Sequence, residues 1–339
     1  ITMKKNLRNI LALSLGLMTT VAFAQDWNVD SRTRIDMSGD GDEMSTDQRV
    51  TLSSSWGGSD WGVYLSTDVN YTLNDADAAA LPAISVYEVY ASTNLFGFAN
   101  MTAGRQALNY GSGALMSSND WGATRTTWDG MTFDLGLDMA DVSLGYASYN
   151  GGAEDEEDQG NMWVNAGGEF SGWDVNMLYM TNTASDNAAT GIDISGEIMG
   201  AGISASMNTD YDENTMRVLG VSYAVNDDMS VNVGQTVYGE EGAFSMAGTD
   251  LAGGWANGNM GYLGAGDEML SYGLTYNISG INLGYTMHNV TNETTGVSAD
   301  RDVTEISLGY SLNDNAGLGL SMVNDADTKY MWLTLNVGL

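Results

Sequence analysis

Cysteine is absent from the 339 residues, proline occurs once, at Pro82, and histidine once, at His288. The first absence excludes a disulfide framework, a lipid anchor on an N-terminal cysteine and thiolate metal ligation. The lone histidine leaves little material for general-base catalysis or for a zinc centre, and no enzyme is expected. Basic residues are scarce too, with 11 Lys and Arg against 44 Asp and Glu and a formal net charge of −33. Such a surface repels nucleic acid phosphates and attracts cations. Adaptation to a salty habitat explains the same charge equally well. No later stretch approaches the ~20 apolar residues a transmembrane helix needs. A membrane location therefore requires strands.

What is present begins with Lys4, Lys5 and Arg8, an apolar run from Ile10 to Leu17 and the small-residue end Ala22-Phe23-Ala24. That order is the pattern of a cleaved secretory signal peptide over residues 1–24, with Gln25 as the expected mature start. Removing its three cations leaves 11 − 3 = 8 basic residues against 44 acidic ones, a net 8 − 44 = −36 over residues 25–339. Forty-three Gly, 17 Tyr and 9 Trp separate this chain from a disordered acidic tail.

Period-two alternation dominates the remainder. Trp61, Val63, Leu65, Thr67, Val69 and Tyr71 share one face, while Tyr64, Ser66, Asp68, Asn70 and Thr72 share the other. Eighteen such runs are expected, between 27–37 and 330–339, and sixteen remains an acceptable count. Their connections alternate between tight turns such as Ser171-Gly172 and Met199-Gly200 and longer loops, of which 107–127 is the third and 239–267 the seventh. Short turns at one end and long loops at the other predict an all-β, transmembrane, antiparallel up-and-down barrel in the bacterial outer membrane. Barrels of 16–18 strands enclose an aqueous channel. One domain over residues 25–339 suffices.

The pore residues follow from the same parity. Arg32, Arg34 and Arg49 fall on the polar faces of the first two strands, where a lipid-facing arginine at the midplane would cost about 2–4 kcal/mol. Opposite them the pattern places Asp68, Glu88, Asp134 and Asp138, with Asp193, Glu197 and Glu305 further along. Cations facing carboxylates create a transverse field that sieves polar solutes, or simply solvate the wall. The third loop is rich in small and apolar residues and is expected to fold into the barrel, with Arg105 and Arg125 at its base. Counting from Met101 and Ala103 puts Arg105 on the lipid face, so a bulge at Gly104 is needed to turn it inward. His288 reads as a polar rim residue at a strand's outer end. Where outer-membrane phospholipases carry a serine two residues after their histidine, this chain has Val290.

No cofactor is expected. Acidic loop clusters at Asp40, Asp42 and Glu43, at 154–158 and at Asp210, Asp212 and Glu213 offer oxygen ligands for loosely held Ca²⁺, although none forms a twelve-residue calcium loop. The expected partners are outer-membrane lipid, lipopolysaccharide and small hydrophilic solutes. The oligomeric state is left open.

Gly104-Arg105-Gln106, then Tyr110-Gly111, then Trp128-Asp129-Gly130 resemble the alginate-export family of outer-membrane porins, in which a Gly-Arg-Gln strand end precedes a Phe-Asp-Gly strand start. Trp128 stands where that family has Phe. The resemblance implies an eighteen-stranded monomeric barrel and passage of an anionic polysaccharide through an arginine-rich pore. Eight cations against 44 acids favour small cations or neutral solutes instead. A structural or adhesive barrel is the remaining alternative.

Overall fold

The computed structural model describes residues 25–38, 44–73, 82–122, 125–149, 159–246, 263–292 and 300–339. The expected leader, residues 1–24, lies outside them. Eighteen strands form one sheet: β1 (Gln25–Asp36), β2 (Ser45–Gly57), β3 (Trp61–Thr72), β4 (Ala83–Leu95), β5 (Ala99–Gln106), β6 (Trp128–Gly136), β7 (Asp141–Tyr149), β8 (Gln159–Phe170) and β9 (Trp173–Asn182). The second half comprises β10 (Ala188–Ile198), β11 (Ala201–Thr209), β12 (Thr215–Asn226), β13 (Met229–Tyr238), β14 (Asp267–Ile278), β15 (Ile281–Asn292), β16 (Arg301–Asn313), β17 (Ala316–Asp325) and β18 (Thr328–Gly338). Each strand pairs antiparallel with its sequence neighbours, and β1 pairs with β18 from Asp30↔Gly338 to Asp36↔Trp332. The sheet is closed, so no strand edge is left unpaired.

Four of the short connections share one chemistry. Phe96-Gly97, Ser171-Gly172, Met199-Gly200 and Ser279-Gly280 each place two successive residues at positive φ, near +54° and +81° in the Met199-Gly200 pair. This is the primed turn whose twist matches the flanking strands, and glycine at its second position removes the Cβ clash. Phe96 and Met199 project almost fully exposed from these turns.

The two faces of the wall are opposite in character. Val63, Val89, Leu144, Met177, Leu219 and Leu274, on six strands spread around the barrel, are all 38–55 % exposed on the outside. A protein in water buries such side chains, whereas a bilayer solvates them. The inner face is sorted along the axis. Toward the short-turn end it is small and polar, with Gly220 opposite Gly234, Asn232 opposite Gly273 and Gly284 opposite Ser307. Toward the long-loop end it turns apolar. Met180, Met216, Tyr238, Val290, Val303 and Val323 are buried there in a cluster with Ala114, Leu115 and Met116 of the 107–127 loop and Phe244 of the 239–267 loop.

The alternation makes a pairwise test. Val221→Arg, on the outer face of β12, should cost about 2–4 kcal/mol of stability in lipid vesicles. Ser222→Arg, one residue along and facing the interior, should stay within about 0.5 kcal/mol of the parent. Equal costs in a denaturant titration would mean the faces are misassigned.

Candidate pore constriction

The loop between β5 and β6 crosses the interior of the barrel. Its hairpin is flanked in the wall by β4 and β7, yet its residues bond to β1 and β2 in one direction and in the other lie against β10 and bond to β11, a reach available only from inside. On one side, Tyr110 packs under β7 and β8. Its hydroxyl lies 2.9 Å from Ser143 Oγ and accepts from Trp163 Nε1 at 3.4 Å. Burial pushes the Tyr110 phenol above its usual range. Gly111, at φ +56°, lies where an added Cβ would meet the Asp193 carboxylate and the Asn176 amide. Ser112 Oγ is 3.3 Å from Ser206 Oγ on β11.

On the other side, arginines hold the loop. Arg32 donates to the carbonyls of Asp120 at 2.6 Å and of Trp121 and Gly122, both at 3.0 Å. Arg34 donates to the Trp121 carbonyl at 2.9 Å and stacks over the Trp121 ring, which meets Trp332 of β18 edge-on. Arg49 donates to the Asp120 carbonyl at 3.0 Å and pairs with the Asp120 carboxylate at 2.8 Å. Arg32 and Arg49 are direct cross-strand partners. Like charges so opposed destabilise a sheet unless something neutralises them, and the loop's carbonyls and Asp120 do so. Arg125 completes the group, paired with Asp68 at 2.5 Å and stacked on Tyr87.

Tyr87 reaches the lumen through a bulge: Ser66 pairs with Glu88 and Thr67 with Val86, so Tyr87 is the extra residue. Alternation alone does not reveal that both Tyr87 and Glu88 face inward. Glu88 accepts from the Ala107 amide at 3.0 Å and caps the start of the loop.

The Gly-Arg-Gln and Trp-Asp-Gly triplets pair with each other across β5 and β6. Gly104 stands opposite Gly130, Arg105 opposite Asp129 and Gln106 opposite Trp128. A Cβ at Gly104, which has φ +135°, would fall 2.2 Å from the Val89 carbonyl oxygen, and one at Gly130 would fall 1.9 Å from that of Tyr146. The two glycines let the wall draw close at the point where the loop turns inward. Arg105 grips Asp129 through two contacts of 2.6 and 2.7 Å on the outer face.

Three expectations are corrected here. Arg105 does not line the pore: the register through Gly104 is unbroken, and parity keeps Arg105 outside, level with exposed Val89. Asp138 lies beyond the end of β6, in the turn closed by the Leu137 amide to the Ala140 carbonyl, and sits at the short-turn rim. His288 is not a rim residue, because β15 continues to Asn292 and leaves it on the inner wall, 7 % exposed. Arg32, Arg34, Arg49, Arg125, Asp68 and Glu88 converge on one side of the lumen, while Asp134 of β6 and Asp193 and Glu197 of β10 face inward elsewhere. No Lys or Arg occurs from 126 to 216. The wall from β6 to β11 is thus acidic without counter-charge of its own. Asp210 is fully buried and accepts from the amides of Asp212, Asn214 and Ser245 and from the Ser245 hydroxyl, which ties the β11–β12 loop to the 239–267 loop. The acidic clusters at 40–43 and 154–158 lie outside the described residues.

A family model for alginate export matches residues 15–235. The chain belongs to the alginate-export family. No curated protein matches it in sequence. Among solved structures it is similar to Pseudomonas aeruginosa OpdK with vanillate, at 12 % identity and a TM-score of 0.74, covering 94 % of this chain and 100 % of that one. OccK8 (OprE) of the same organism matches at 12 % identity and a TM-score of 0.71, over 93 % and 98 % of the two chains. Its OprD, an outer-membrane protein, matches at 11 % identity and a TM-score of 0.69, over 93 % of each. At such identities what is shared is the fold, an eighteen-stranded barrel of the outer-membrane porin kind. The glycine and Arg–Asp pairings of β5 and β6 give this family member's most recognisable triplets a structural role at the base of the inward loop.

The arginine tether is testable by single-channel recording. Arg32→Ala combined with Arg49→Ala removes six hydrogen bonds to residues 120–122, so conductance and current noise should rise as the loop loosens. A double variant with parental conductance and noise would show that the tether does not set the aperture.

Proposed function

We propose that the protein is a passive, water-filled channel of the bacterial outer membrane for small hydrophilic solutes, preferring cations or neutral molecules. The observation that carries this reading is a closed barrel whose inner face is small and polar toward the short-turn end, narrowed by a loop that already engages the arginines of β1 and β2. Arg32, Arg34 and Arg49 point at backbone carbonyls and at Asp120, and Arg125 at Asp68. With those charges met, the wall from β6 to β11 dominates the field, and it is acidic. A leader over residues 1–24, short turns in the periplasm and long loops facing outward toward lipopolysaccharide belong to the same proposal, as does bridging of the acidic loops to lipid phosphates by divalent ions.

Export of an anionic polysaccharide is the second reading, favoured by family membership and by the arginine cluster. It requires those guanidinium groups to exchange the loop carbonyls for the polymer's carboxylates.

Reconstitution in planar bilayers separates the readings. Open-channel current with a cation-selective reversal potential in a KCl gradient is the expected result. Anion selectivity would favour the polysaccharide reading, and a barrel without current would leave only a structural or adhesive role.

A further inference from the structure

We propose that the recess between the 107–127 loop and the acidic wall binds a small linear diamine, with one ammonium group at Asp193 beneath the loop and the other between Glu169 and Asp174. The proposal rests on the channel reading above for the solute's route to the site.

A cavity of about 720 Å³ is bounded by Gly111 and Ser112 of the loop and by the inner faces of β7 to β12. Four carboxylates border it, in two rows of direct cross-strand partners. The row level with Gly111 runs from Asp141 through Gly167 and Asn176 to Asp193. The next row toward the short turns holds Glu169 opposite Asp174. Asp174 is thereby the diagonal neighbour of Asp193, at about 7–8 Å, a separation that the ends of an extended 1,4-diaminobutane span. Among the described residues no three potential ligands group closely enough to hold one metal ion. Two charges on one flexible chain suit the rows better than a single compact cation.

The wall supplies no counter-charge of its own here. Lys and Arg are absent from 126 to 216, and Arg217, sharing the parity of Val221, points outward. Glu169 against Asp174 is the reverse of Arg32 against Arg49: two like charges face each other directly. None of the ion pairs among the described residues involves either carboxylate. Buried acceptors point the same way. Asp193 Oδ1 has no hydrogen-bond partner, and neither has Oδ1 of Asn165, an 8 % exposed residue one inward position above Gly167 on β8. Buried polar atoms are ordinarily paired, and an ammonium group, which only donates, is a partner that such acceptors take. The Asn176 amide nitrogen beside them, also unpartnered, is left to water.

The test is titration calorimetry on the detergent-solubilised full-length barrel, with 1,4-diaminobutane, butylamine and CaCl₂ as separate titrants. The diamine should bind on the order of ten-fold more tightly than butylamine, because its second ammonium group is held near the second row. Asp193→Asn and Asp174→Asn should each weaken diamine binding by on the order of five-fold. Equal affinity for the diamine and butylamine, tighter binding of Ca²⁺ than of the diamine, or undiminished diamine binding in either variant would overturn the proposal. The readout needs no current. A parent that binds the diamine yet carries no current in planar bilayers would overturn the channel reading alone.

Discussion

In a bilayer interior no water is available to an unpaired amide or carbonyl, so a sheet can cross only if it closes on itself. The pairing of β1 with β18 meets that condition, and the rest of the molecule depends on it. Closure gives every strand one face toward lipid and one toward the lumen, which forces alternation over nearly two hundred residues, broken locally by bulges such as that at Tyr87. It also fixes where charge can go. The scarce arginines of β1 and β2 have the inner face as their only inexpensive location, and once there they lie close together.

That crowding explains the constriction. Arg32 opposite Arg49, with Arg34 one inward position further along, is a repulsive group in an otherwise acidic protein. The loop resolves it with the carbonyls of Asp120, Trp121 and Gly122, and Asp68 and Asp120 balance Arg125. On the far side the loop is held by weaker, neutral contacts through Tyr110 and Ser112. The inward loop therefore acts as the counter-charge of the arginine wall, and the acidic wall from β6 to β11 has no equivalent partner. The lateral charge asymmetry of the lumen follows from those two facts.

Much of this was legible in the sequence, because alternation and turn chemistry are local. The runs beginning at Trp61 and Met229 predict their strands almost to the residue, and the apolar content of 107–127 points to an inward loop. Where prediction and structure differ, the cause is non-local or a matter of strand length. Tyr87 lines the lumen through a bulge that only the register with β3 reveals. Arg105 follows plain parity, and its place outside depends on Asp129, a partner 24 residues away. Asp138 is displaced because β6 ends at Gly136, and His288 because β15 runs four residues further than its hydrophobic pattern. The partners of the arginines are backbone carbonyls, which carry no mark in a sequence.

The central claim is that the 107–127 loop lies across the lumen, tethered on both sides. A chain without cysteine allows a direct measurement: Ser112→Cys with Ser206→Cys, whose hydroxyl oxygens lie 3.3 Å apart, assayed for disulfide formation in the folded barrel under mild oxidation. Rapid, near-complete crosslinking is predicted. Two thiols that stay free and react independently with a water-soluble label would contradict it.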